Sequence, residues 1–84
     1  MEEKEIGKIT HYFGHVGVGI IELADTLKVG DNVRIKGHTT DLKEAVDSMQ
    51  LDHASVSEAV KGQAVGIKVA GKVHPNDKVY KIIP

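Results

Sequence analysis

Turn-forming residues recur along this chain at intervals that leave room only for short strands. Gly14 and Gly17, Gly30-Asp31, Gly37, Gly62 and the run His74-Pro75-Asn76-Asp77 punctuate it, and these residue types each favour tight turns for a physical reason. Between them the apolar positions are mostly Val, Ile, Leu and Ala, and the aromatics are only Tyr12, Phe13 and Tyr80. Such β-branched runs, bounded by turn residues, predict strands rather than a helical bundle. The count comes to six or seven strands, the pattern of a small antiparallel barrel. The 84 residues carry no internal repeat and no composition shift that would mark a second domain.

Ile6 to Phe13 reads as the first strand, and residues 1–5 as a disordered tail ahead of it. In the stretch GHVGVGIIEL, Val16, Val18 and Ile20 form one face, while Ile21 and Leu23 follow out of phase. Three glycines within six residues here predict a hairpin, a bulge or a close backbone approach. A phosphate-cradling loop is the competing reading, but no helix signal and no Lys-Ser/Thr pair follow it. Val33 and Ile35 alternate with Arg34 and Lys36 on a strand that Gly37 ends. Residues 41–50 are ambiguous. Asp41 suits a helix cap, with Glu44 at the capping-box position and Leu42, Ala45, Val46 and Met49 at helical spacing. A strand there needs a bulge, because Leu42 and Val46 share a parity that Met49 and Leu51 do not. The all-β context favours a long bent strand. Val65, Ile67 and Val69 then alternate with Gly66 and Lys68, and KVYKIIP closes the chain as a strand.

Composition removes several functions. Eleven Lys and Arg against twelve Asp and Glu give a net charge of −1, whereas chains held to nucleic acid by phosphate contacts carry a basic excess. Any such binding must use a local patch, and the best candidate is the outward pair Arg34 and Lys36. Outward lysines also serve solubility and edge protection. No cysteine is present, which excludes disulfides and thiolate metal sites. No apolar run approaches the roughly 20 residues of a membrane span, and the acidic N-terminus lacks a signal core, so a cytoplasmic protein without membrane contact is expected. Ser48, Ser55 and Ser57 sit in no nucleophile elbow. His11 and His15 would share a helix face, but their segment reads as strand and turn. No metal, no cofactor and no catalysis are expected.

Two segments carry more. Leu27 to Gly37, LKVGDNVRIKG, and Ser48 to Val69, SMQLDHASVSEAVKGQAVGIKV, resemble the second domain of translational GTPases such as elongation factor Tu, and the resemblance runs from about Ile6 to Ile83. It implies an all-β, closed antiparallel barrel of the translation-protein type. No G-x-x-x-x-G-K-[ST] motif is present and the chain is too short for a GTPase domain, so no GTP binding is implied. The family's barrel helps hold the 3′ end of aminoacyl-tRNA. At the matching positions this chain has Gln50 where a Glu is usual, Asp52 where His or Arg is frequent, with His53 next to it, and Ala64 where elongation factors place Asn. The resemblance therefore implies a non-catalytic module docking on RNA or a ribonucleoprotein, with tRNA, ribosomal RNA or a ribosomal protein as partner. Arg34, Lys36, Gln50, Asp52, His53 and Lys68 are its candidate contacts. The alternative comes from similar barrels at the C-termini of collagenase-like peptidase family proteins: a protein-interaction or accessory module for a separately encoded enzyme. The near-zero net charge favours it.

Overall fold

A computed structural model describes residues 2–84. They form ten strands: β1 (Glu2–Phe13), β2 (Val18–Leu23), β3 (Leu27–Lys28), β4 (Asn32–Lys36), β5 (Asp41–Ala45), β6 (Met49–Leu51), β7 (Ala54–Val56), β8 (Glu58–Ala59), β9 (Ala64–Lys68) and β10 (Lys78–Ile83). Eight of them make one antiparallel sheet in the order β5-β4-β10-β1-β2-β9-β6-β7, and β3 pairs with β8 in a separate ribbon. The count exceeds the six or seven expected because β3, β6, β7 and β8 are only two or three residues long. Stretches this short carry no readable alternation.

The sheet is rolled, and its connectivity explains why. Six interstrand steps separate β5 from β6 in the sheet order, which would place them about 29 Å apart if the sheet were flat. The chain joins these two strands through residues 46–48 alone, a link that spans at most about 15 Å. The sheet must curl to satisfy it. Among the described residues no backbone ladder joins β5 to β7, so the complete closure expected from the sequence is not seen in the hydrogen bonding. The segment expected as a bent strand or helix over 41–50 is instead two strands either side of this link. The parity slip between Val46 and Met49 is absorbed there, and both side chains reach the core.

β1 does the bending on the opposite side. Register shifts at Glu5/Gly7 and Ile9/His11 mark two irregularities in its twelve residues. They let its first half pair with β10 and its second half with β2, and bulges of this kind increase twist and bend. Glu2 to Glu5, expected as a disordered tail, are strand, paired with Tyr80 to Ile83; Met1 lies outside the described residues. The rolled sheet encloses one core of Ile6, Ile9, Ile21, Leu23, Leu27, Val33, Ile35, Val46, Met49, Ala59, Val65, Ile67, Val73 and Val79.

At the β5 end a side chain supplements the backbone. Glu44, on the half-buried side of β5 with Leu42, accepts the Ala70 N–H at 3.1 Å through Oε2, while its Oε1 is buried without a partner. Burial pushes its carboxyl above the ordinary range, opposed by the Ala70 N–H and aided by nearby Asp47.

Two outcomes follow. A Cβ at Gly7 would collide with the backbone carbonyl of Glu22 and stand 3.0 Å from Ile21 Cγ2. Gly7→Ala should therefore cost about 1–3 kcal/mol in urea denaturation. Because the folded-state value of Glu44 is raised, the native chain holds its proton to higher pH than the unfolded chain. Stability should fall as pH rises from the unfolded value through the raised one. Denaturation midpoints across that range should show the slope, and Glu44→Gln should remove this residue's share of it.

Candidate functional site

The cationic face is built by strand register. Arg34 and Lys36 point outward from β4 because Val33 and Ile35 fill the core. Arg34 is already engaged: Nε and Nη2 donate to the two Asp41 carboxylate oxygens at 2.8 Å each, and Nη1 donates to Glu3 at 3.2 Å. The hydrogen bonds that Arg34 donates to Asp41, then those to Glu3, raise the guanidinium pKa still further, and the Asp41 contact lowers that of Asp41. Lys36 does belong to a row of lysines, with Lys78 opposite it and Lys8 opposite Lys78. Carboxylates lie near all three, because Lys36 faces Asp41, which it shares with Arg34, Lys78 meets Glu5 at 3.5 Å, and Lys8 faces Glu22. Lys81 turns to Asp31 and Lys4 to Asp25. Exposed pairs like these add little stability, yet they leave this face without the surplus of positive charge that a phosphate backbone requires.

The other sequence candidates lie elsewhere. Neither Arg34 nor Lys36 lines the cleft that holds Gln50. Gln50, Asp52 and His53 instead line an open cleft of about 420 Å³, together with Phe13, Val16, Val18, Ile20, Ala64 and Gly66. Its floor is the outer surface of β2 and β9, where Ile20 sits opposite Gly66 and Val18 opposite Lys68. Gln50 pairs with Gly66 on the next strand. One wall is Phe13 and Val16, which are 45% and 54% exposed. The His11 ring lies parallel to that of Phe13 at 6.3 Å, while Tyr12 packs against the core.

The opposite wall is the β6–β7 hairpin. Leu51 pairs with Ala54, leaving Asp52 and His53 as a two-residue loop with φ of 50° and 66°. Left-handed values at both positions define the primed turn that matches strand twist.

The apolar lining is a feature the sequence reading missed, although its signal was present. Val16, Val18 and Ile20 share one parity and Ile21 and Leu23 the other. Both sets cannot face the core of one strand, and it is Ile21 and Leu23 that are buried.

Among the described residues no candidate nucleophile sits in a relay. Ser48, Ser55 and Ser57 are exposed. A Thr-His-Asp group does assemble, with Thr40 Oγ1 3.0 Å from His74 Nδ1 and Asp77 Oδ2 3.7 Å from the same nitrogen. A triad needs nucleophile and carboxylate on different ring nitrogens; here both meet Nδ1. Thr40 and Asp77 are buried, and Asp77 accepts the His74 N–H at 2.9 Å. This group ties down the 74–77 turn.

Rolled strands, a single apolar core and an open outer cleft define a small β-module of the translation-protein type. The elongation factor Tu domain 2 family model matches residues 26–76, and the chain belongs to that family. Over 77 residues it is 43% identical to an uncharacterized protease of Methanocaldococcus jannaschii, covering 90% of this chain and 19% of that protein. Over 78 residues it is 36% identical to a collagenase of Porphyromonas gingivalis, covering 90% of this chain and 22% of that one. The chain thus spans about a fifth of the length of the curated relatives it matches. Among solved structures, the C-terminal domain of a Geobacillus thermoleovorans protein assigned to the U32 peptidases superposes with a TM-score of 0.89. The two are 17% identical, and the superposition covers 95% of this chain and 93% of that one, a likeness of fold. These relatives are of peptidase type. With the paired charges on β4 and β10, they leave the expected RNA or ribosome partner without support.

The hairpin wall carries its own test. Non-glycine residues in the left-handed region are strained by about 1 kcal/mol or more each. Replacing Asp52-His53 by Asn-Gly should raise stability by about 1 kcal/mol, read as a higher urea midpoint with an unchanged slope.

Proposed function

We propose that this chain is a non-catalytic accessory module of a peptidase-family protein, engaging other domains or protein partners rather than RNA. The observation that carries the reading is the match to the archaeal protease: nine-tenths of this chain aligns at 43% identity with only a fifth of a much longer protein. A segment that recurs within larger peptidase-type chains is suited to support an active site built elsewhere. In this reading the sheet works as a closed barrel, rolled by the 46–48 link and bridged beside β5 by Glu44. The shared Nδ1 contact of Thr40 and Asp77 and the exposure of the serines support a role without chemistry of its own.

A graft tests it. Deleting the homologous segment of the Porphyromonas gingivalis collagenase should impair cleavage of a protein substrate more than cleavage of a short peptide, and inserting this chain in its place should restore the difference. The purified chain should leave gelatin intact. Hydrolysis by the chain itself, or nuclease-sensitive, salt-dependent tRNA binding that Arg34→Glu abolishes, would sink the reading.

A further inference from the structure

We infer that the cleft between Phe13 and the Asp52-His53 hairpin is a docking groove for an extended, uncharged polypeptide segment with apolar side chains. This deepens the accessory-module reading and rests on it.

The shape comes first. The floor is two antiparallel strands, β2 and β9, and the walls stand on β1 and the β6–β7 hairpin. From Ala64 to Lys68 that floor extends about 13 Å, room for about four residues of extended chain. Gly66 keeps the centre low. A Cβ there would already lie 3.3 Å from both Ile20 Cδ1 and Val18 Cγ1, so a longer side chain would fill the space above them.

The chemistry selects the occupant. Phe13 and Val16 remain about half exposed, and Val18 and Ile20 are only partly covered. An apolar side chain seated there removes that surface from water, at about 25 cal/mol per Å². The charges at the cleft cancel, Asp52 at the hairpin against Lys68 beside Val18. Glu22, opposite Ala64, is already faced by Lys8. A polyanion gains nothing from such a site. Gln50 offers a neutral amide that both donates and accepts, matching the donor and acceptor of a peptide group.

The test is a random decapeptide phage library panned on the full chain, with enriched clones synthesised and mapped by amide shifts. The expected peptides carry at least two apolar residues close together and no net charge of either sign over the bound stretch, and they shift Ile20, Gln50 and Gly66. Gly66→Leu should weaken them by about tenfold or more; its side chain points outward, and a urea midpoint checks that it folds. Phe13→Ala serves as a second variant, while Arg34→Ala on the other face should change nothing. The inference is overturned if no clone enriches above an uncoated surface, or if binding survives both groove variants. It is equally overturned if oligoadenylate binds at physiological salt and Gly66→Leu removes that binding. A graft that fails while peptides still bind would remove the peptidase context and leave the groove standing; the reverse result would remove only the groove.

Discussion

Three residues, Val46 to Ser48, join strands that stand six places apart in the sheet. A flat sheet cannot meet that covalent limit, and the rest of the architecture follows from the curl it imposes. Inward side chains of the rolled sheet meet the same core, and among the described residues fourteen buried apolar ones form one cluster. A chain this small buries only about 60–65% of its unfolded surface, and a deep pocket would be taken directly from that core. Function is thereby pushed to the outer surface, where the curl also brings the β6–β7 hairpin up beside β2 and β9 as a wall.

The outer surface is not uniform, and the difference between its two faces is electrostatic. Around β10 and β4 each lysine meets a carboxylate across a strand or on a neighbouring loop, so long-range attraction for a charged partner is small there. Around β2 and β9 the side chains are short or apolar and the few charges offset one another. Burial of surface, not steering, is what such a face offers a partner, and non-directional burial is strongest for apolar groups that pack closely. The strained Asp52-His53 turn fixes that wall at an energetic cost, in the way strained backbone clusters at binding sites.

Much of the fold was legible because it rests on alternation and turn chemistry. Val33/Ile35 and Val65/Ile67 announce β4 and β9, and both pairs are buried. The region around Val46 was not legible, because the link there serves a constraint set by strands far away in sequence. The charge balance was hidden for the same reason: Arg34 meets Glu3, 31 residues distant, and no local pattern reports that pairing. The candidate site divided in two. Gln50, Asp52 and His53 lie in one cleft as neighbours in sequence, whereas only the three-dimensional lining of that cleft shows that Arg34 and Lys36 stand outside it. The apolar wall was half legible in the two competing parities of Val16 to Leu23, since only the pairing of β2 with β1 and β9 decides which set faces inward.

A floor two strands wide and about 13 Å long implies a modest interface, well below the roughly 1,200 Å² of stable free association. That is a weakness for a protein meeting its partner by diffusion. In the curated relatives the matching segment is part of a much longer chain, where tethering changes the arithmetic. A flexible connection holds two sites at an effective concentration in the millimolar range, so a contact too weak to persist in solution can be mostly occupied. The accessory reading and the shallow groove are therefore physically consistent. Strong binding would even be a disadvantage if the groove has to release one segment and accept another, because most of the affinity of related complexes resides in the dissociation rate. A shallow and neutral groove is the geometry that keeps that rate high.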